Sequence, residues 1–203
     1  MASRRQRTGS RVAEPPDPAS AMELAARFLA TRPRTRWEVE RRLRRAGTEE
    51  ATVTATLDRL VELGYLDDAA FARWWGEQRD RHRPRGRRLL EAELRQRGVP
   101  HDVIEHYREE HARPERSPED EGLPGTELDR AREALAGHLR GRPLPADRQA
   151  LQRVGMFLMR RGFDAETARA AIRAAGSDVT DTDDQIHTAN EEKSDVPSVS
   201  EHA

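Results

Sequence analysis

Apolar positions recur with one spacing in three stretches of this chain: "RPRTRWEVERRLRRAG", "RPRGRRLLEAELRQRG" and "DRQALQRVGMFLMRRG". Aligned on the closing glycine (Gly47, Gly98, Gly162), each has an apolar residue eight and four positions earlier. These are Val39 and Leu43, Leu90 and Leu94, and Val154 and Leu158. A spacing of four keeps each pair on one helix face. The glycine supplies the left-handed residue that ends the helix, and basic residues in the last turn suit the negative end of its dipole. In the first copy Thr35 and Glu38 form a T-x-x-E capping box that sets the start.

Each glycine is followed by a second helical pattern. It runs through Val53, Leu57, Leu60 and Val61 in the first copy, Ile104 and Tyr107 in the second, and Ala168 and Ile172 in the third. A third pattern precedes each copy, carried by Leu24 and Phe28, by Phe71 and Trp75, and by Leu128, Ala131 and Leu135. The expectation is all-α: nine helices in three groups of three, with no strand. A helix of about 12 residues is marginal alone in water, whereas three that each bury one stripe make a small core, and stacked trios bury more.

The expected organisation is a basic tail at 1–20, three-helix repeats at 21–64 and 65–111, an insertion or linker at 112–125, a third repeat at 126–176, and an acidic tail at 177–203. The insertion lies within "REEHARPERSPEDEGLPG", rich in Pro, Glu and Gly, and such loops lengthen at little cost. Both tails have the composition of disordered segments.

Composition narrows the function. Charged residues make up 36% of the 203 and hydrophobic ones 35%, so any core is thin. No apolar run approaches the roughly 20 residues of a membrane span, and the basic amino terminus lacks the apolar stretch of a signal peptide. The absence of cysteine removes disulfides and thiolate metal sites. A cytoplasmic protein, monomeric and without cofactor or metal, is expected. The net charge of -1 conceals an acidic tail that carries eight carboxylates and one lysine, Lys193, the only lysine in the chain. The arginine bias fits either planar, bidentate contacts to phosphate or carboxylate or simply a GC-rich coding sequence.

Catalytic constellations are missing. Asp67 and Asp68 are adjacent and diverge by about 100 degrees on a helix, which does not suit a shared-proton dyad. Directly before "AAFARWW", Asp67 fits an N-cap and Asp68 the first helical turn. Phe71 and Trp75, four apart, read as core, while Trp74 is rotated off that line and is a candidate partner contact. The seven histidines form no HExxH motif or i, i+4 pair, and there is no phosphate-binding glycine loop. No enzyme is expected.

Arginine clusters remain. "RDRHRPRGRR" places Arg79, Arg81, Arg83, Arg85, Arg87 and Arg88 at a helix junction. Arg95 and Arg97 follow, and Arg160 and Arg161 end the matching helix of the third trio. Such a strip either neutralises phosphates in a salt-sensitive, sequence-independent way or is a solvated face paired with Glu91 and Glu93.

Three segments together carry a family resemblance. "GYLDDAAFARWWGEQR" resembles the G-x-L-D-D-x-x-F-A…R segment of the RecX family at Gly64, Leu66, Asp67, Asp68, Phe71, Ala72 and Arg79. "RPRGRRLLEAELRQRGV" resembles its basic-glycine turn followed by L-x-x-E-L-x-x-(R/K)-G-(I/V). "LQRVGMFLMRRGF" resembles its L-x-R-R-G-F segment at Leu158, Arg160, Arg161, Gly162 and Phe163. The resemblance implies an elongated, curved chain of three tandem three-helix repeats. It implies a non-enzymatic protein that binds the RecA filament on single-stranded DNA and limits its recombinase, ATPase and co-protease activities, with DNA phosphates as a second contact. A competing reading is a helix-turn-helix regulator of duplex DNA, because "WEVERRLRRAGTEEATVTATLDRLVELGYL" passes for a winged-helix core.

Overall fold

The computed structural model describes residues 15–112 and 126–177. Among them are nine helices and no strand: α1 (Pro18–Leu29), α2 (Arg36–Arg45), α3 (Glu50–Glu62), α4 (Asp68–His82), α5 (Arg87–Gln96), α6 (His101–Ala112), α7 (Glu127–Leu139), α8 (Arg148–Arg160) and α9 (165–177). The expected tails and insertion fall mostly outside the described residues. α1 nevertheless begins inside the stretch expected as tail. Asp17 accepts the backbone N–H of Ser20 at 2.7 Å and Pro18 occupies the first helical turn, a start that needs no apolar signal.

The described residues divide into two units, 15–71 with 97–100, and 72–96 with 101–112 and 126–177. In the first unit, α1, α2 and α3 enclose one core of Ala21, Ala25, Val39, Leu43, Val53, Leu57, Leu60 and Leu66. The stripe on α1 differs from the expected one. Ala21 and Ala25 are fully buried, whereas Leu24 and Phe28 pack only at the margin, because small side chains let the helices approach closely. Val61 is 46% exposed and lies outside the core.

The start of α2 is tied down at several points. The Thr35 hydroxyl accepts the N–H of Glu38 at 3.1 Å and donates to the carbonyl of Arg97 at 2.6 Å. Glu38 completes the capping box and also pairs with Arg32 and Arg97. The aspartates at the start of α4 divide their work. Asp67 caps α4, its Oδ1 accepting the N–H groups of Ala69 and Ala70. Asp68 serves α2 instead, accepting the Arg36 N–H at 2.9 Å, so its role is wider than favouring its own helix dipole. Burial, aided by the neighbouring Asp67 charge, outweighs that hydrogen bond and pushes the Asp68 carboxyl above its ordinary range. After Leu66 the chain enters α4 within two residues, which leaves no room for the hairpin a winged helix requires.

In the second unit Trp75, Leu90, Leu94, Ile104 and Tyr107 are buried. A further core of Ala131, Ala134, Leu135, Val154, Leu158, Phe163, Ala168 and Ala171 unites α7, α8 and α9. Leu128, expected on the buried stripe of α7, is 36% exposed. Arg130 takes an interior position there, buried against Asp80 of α4.

Candidate nucleic-acid and partner interface

The arginine-rich segment joins α4 to α5, and the local sequence explains its path. Pro84 and Gly86 are buried, while Arg83, Arg87 and Arg88 are exposed. The Gly86 N–H donates to the carbonyl of Arg161 at 2.8 Å, and the Arg161 guanidinium donates to the carbonyl of Pro84 at 3.2 Å. A side chain at Gly86 would run into the backbone of Gly162 and Phe163. Gly162 has φ +91, and a Cβ there would sit 2.5 Å from the Cβ of Leu89. Two glycines thus bring the turn after α8 into backbone contact with the turn before α5. Glu127 of α7 accepts the first N–H of α5, that of Arg87, at 2.8 Å.

Glu93, with a side chain only 12% exposed, gathers donors from both sides of this turn. Trp75 Nε1 and Arg79 Nε each donate to its Oε2 at 2.9 Å, and Arg85 pairs with its Oε1. The Arg79 guanidinium also lies 4.0 Å from the centre of the Trp75 ring, a cation–π stack. Burial lowers the pKa of both Arg79 and Arg85, and the charges of Arg79, Arg161 and Arg83 lower Arg85 further. Arg161 is lowered by burial and then by Arg83. The junction therefore carries a concentrated positive field around one nearly buried carboxylate.

The eleven candidate residues separate by environment. Arg79, Arg85 and Arg161 are half-buried and bound into the second unit, and Arg97 is bound to Glu38 in the first. Arg81 and Arg95 make exposed i, i+4 pairs with Glu77 and Glu91, a type worth little. Trp74 is half-buried with its ring centre 6.0 Å from that of Trp75. Arg83, Arg87, Arg88 and Arg160 are exposed, and none forms a side-chain ion pair among the described residues. Part of the predicted strip is thus structural, and four exposed cations remain.

Sequence reasoning missed the pairing of Asp80 with Arg130, 3.2 Å apart on α4 and α7. Its available signal was a charged residue beside Ala131 in the apolar register of α7. Among the described residues no group of three or more His, Cys, Asp or Glu side chains is placed to hold a metal, and no helix is long and apolar enough to cross a membrane.

Three-helix units in series, with a basic glycine-locked turn docking one unit on the next inside residues 72–177, define a tandem helical-repeat protein. Models of the first, second and third three-helix domains of RecX match residues 21–60, 67–107 and 126–172. The chain belongs to the RecX family. It is 36% identical over 164 residues to the regulatory protein RecX of Mycobacterium avium, covering 79% of this chain and 87% of that one. It is 37% identical over 158 residues to the regulatory protein RecX of Halorhodospira halophila, covering 77% and 88%. The crystal structure of RecX from Lactobacillus salivarius superposes with a TM-score of 0.62 at 17% identity, over 78% of this chain and 96% of that one. A second RecX crystal structure gives 0.60 at 20% identity, over 75% and 71%. The relatives are named as regulatory proteins, and the two structures share the all-helical fold.

Proposed function

We propose that this chain is a non-enzymatic regulator of a RecA-type recombinase that binds the recombinase filament on single-stranded DNA and limits its recombinase, ATPase and co-protease activities. Family membership supports the regulatory role. The observation that carries the contact is the set of exposed arginines that form no side-chain ion pair among the described residues: Arg83, Arg87 and Arg88 at the turn that Gly86 and Gly162 hold in place, and Arg160 at the end of α8. Exposed guanidinium groups suit carboxylates on a protein filament or phosphates of its DNA, both of which accept bidentate contacts. Repeats in series suit a filament, because each unit can meet a different protomer.

The test is a titration of preassembled recombinase filaments followed by ATP hydrolysis, with and without this protein. Substoichiometric protein suppresses hydrolysis, and the Arg83→Glu/Arg88→Glu variant needs at least tenfold more protein for the same effect while keeping its helicity. Undiminished hydrolysis at saturating wild-type protein refutes the reading.

A further inference from the structure

A second basic surface lies on the third repeat, in the groove between the end of α7 and one side of α8. Leu139, Val154 and Phe157 give it an apolar lining, and Arg142, Arg153 and Arg160 stand exposed along it. Among the described residues no Asp or Glu lines it. The three arginines form no ion pair among the described residues, although Arg142 Nε donates to the carbonyl of Leu139 at 3.1 Å. His138 stacks on the Phe157 ring at 4.0 Å between centres.

Leu139, Arg142 and Pro143 also line an adjoining depression whose wall includes Ala175 of α9. The chain therefore leaves α9 beside this groove. The next nine residues, "DVTDTDDQI" (178–186), carry Asp178, Asp181, Asp183 and Asp184, with Val179 and Ile186 as apolar members and no basic residue. An extended chain advances roughly 3.3 Å per residue, so nine residues reach about 30 Å. α8 has 13 residues and is about 20 Å long at 1.5 Å per residue. The segment is long enough to run the length of the groove.

We propose that segment 178–186 of this chain docks in its own α7–α8 groove, with its aspartates against Arg142, Arg153 and Arg160 and its apolar side chains against Leu139, Val154 and Phe157. Charge complementarity and covalent continuity both favour this occupant, since tethering places the segment beside the groove at high effective concentration. Docking shields Arg160 from an outside polyanion, so the segment acts as an internal competitor. The proposal concerns the isolated chain and stands or falls independently of the filament reading.

The chain has no cysteine, so Thr182→Cys takes a nitroxide label at a single site in the full-length protein. At low salt the label broadens backbone amide resonances of residues 139–143 and 150–160, and the effect disappears near 1 M salt, where screening acts within about 3 Å. Arg153→Glu/Arg160→Glu, both on exposed positions, abolishes the broadening. Asp183→Asn/Asp184→Asn weakens it severalfold without altering the groove. Broadening that is absent at low salt, that centres on 79–88, or that persists in both double variants overturns the proposal.

Discussion

Asp80 and Arg130 join α4 to α7, and their side chains are 12% and 9% exposed. Burial pushes the Asp80 carboxyl up to about 6 against the opposing attraction of Arg130, and the charges of Glu133 and Glu127 add to the rise. For Arg130 burial works against the charge, but Asp80, Tyr107 and Glu127 together outweigh it and hold the guanidinium firmly protonated. Raising a carboxyl from 3.8 to about 6 corresponds to roughly 3 kcal/mol of unfavourable ionisation in the fold. A carboxyl raised on folding contributes stability that is whole below pH 3.8 and is lost as pH rises through about 6. Asp80→Asn removes that ionisation and leaves Arg130 with Glu127 at 3.3 Å. The constant offset between the two proteins depends on how well that remaining pair serves, so the pH drift is the informative quantity. Between pH 7.5 and pH 5 the wild type should gain roughly 1.4 kcal/mol on the variant, about tenfold in the folding equilibrium. Urea unfolding followed by circular dichroism at half-unit pH steps measures this, because every other titrating group is common to both proteins. A drift of zero, or one in which the wild type gains as pH rises, refutes the reasoning. The second result would mean that attraction to Arg130 exceeds the burial penalty.

Leu94→Ala, at a fully buried position of α5, should cost about 2–5 kcal/mol and shift the urea midpoint without changing helix content below the transition. Gly162→Ala should destabilise by at least about 1 kcal/mol in thermal unfolding, because alanine resists a positive φ and its Cβ would press on Leu89. A fully stable variant would show that the turn after α8 is free to move away from α5.

Helix positions were legible in the chain because the cues that set them are local. The glycines closing α2, α5 and α8 carry φ of +80, +76 and +91, and Thr35 makes the capping box that its spacing with Glu38 announces. Burial depended instead on which face each neighbour offers, and local spacing does not carry that information. On α1 the alanines beside Leu24 and Phe28 take the interior, and on α7 a buried arginine lies next to Ala131 while Leu128 turns outward. The buried arginine is met there by Glu127 of its own helix and by Asp80, fifty positions earlier. A partner at that separation leaves no periodic trace. The arginine strip was legible as composition but not as geometry, since Glu93 lies on α5 and collects Trp75 and Arg79 of α4 together with Arg85 of the intervening turn.

The turn "RPRG" shows why one short stretch combines structural and exposed arginines. Its buried members, Pro84 and Gly86, make the backbone approach to Arg161 and Gly162, and that approach leaves no space for side chains on the inner side. Between these two buried residues Arg85 is half-buried and pairs with Glu93, whereas Arg83 before them is exposed and Arg87 and Arg88 open α5 at the surface. Without Glu93, Arg85 would be a half-buried cation beside Arg79 and Arg161, an arrangement that mutual repulsion opposes. Glu93 therefore permits the high local density of positive charge, and the close glycine packing gives the outer arginines a fixed base. Replacing Glu93 by glutamine would keep its size while removing the charge that balances Arg79 and Arg85. It should loosen the turn more than loss of any one exposed arginine, and faster amide exchange at Gly86 and Leu89 would register that loosening. Unchanged exchange would locate the anchoring of the turn in the glycine contact alone.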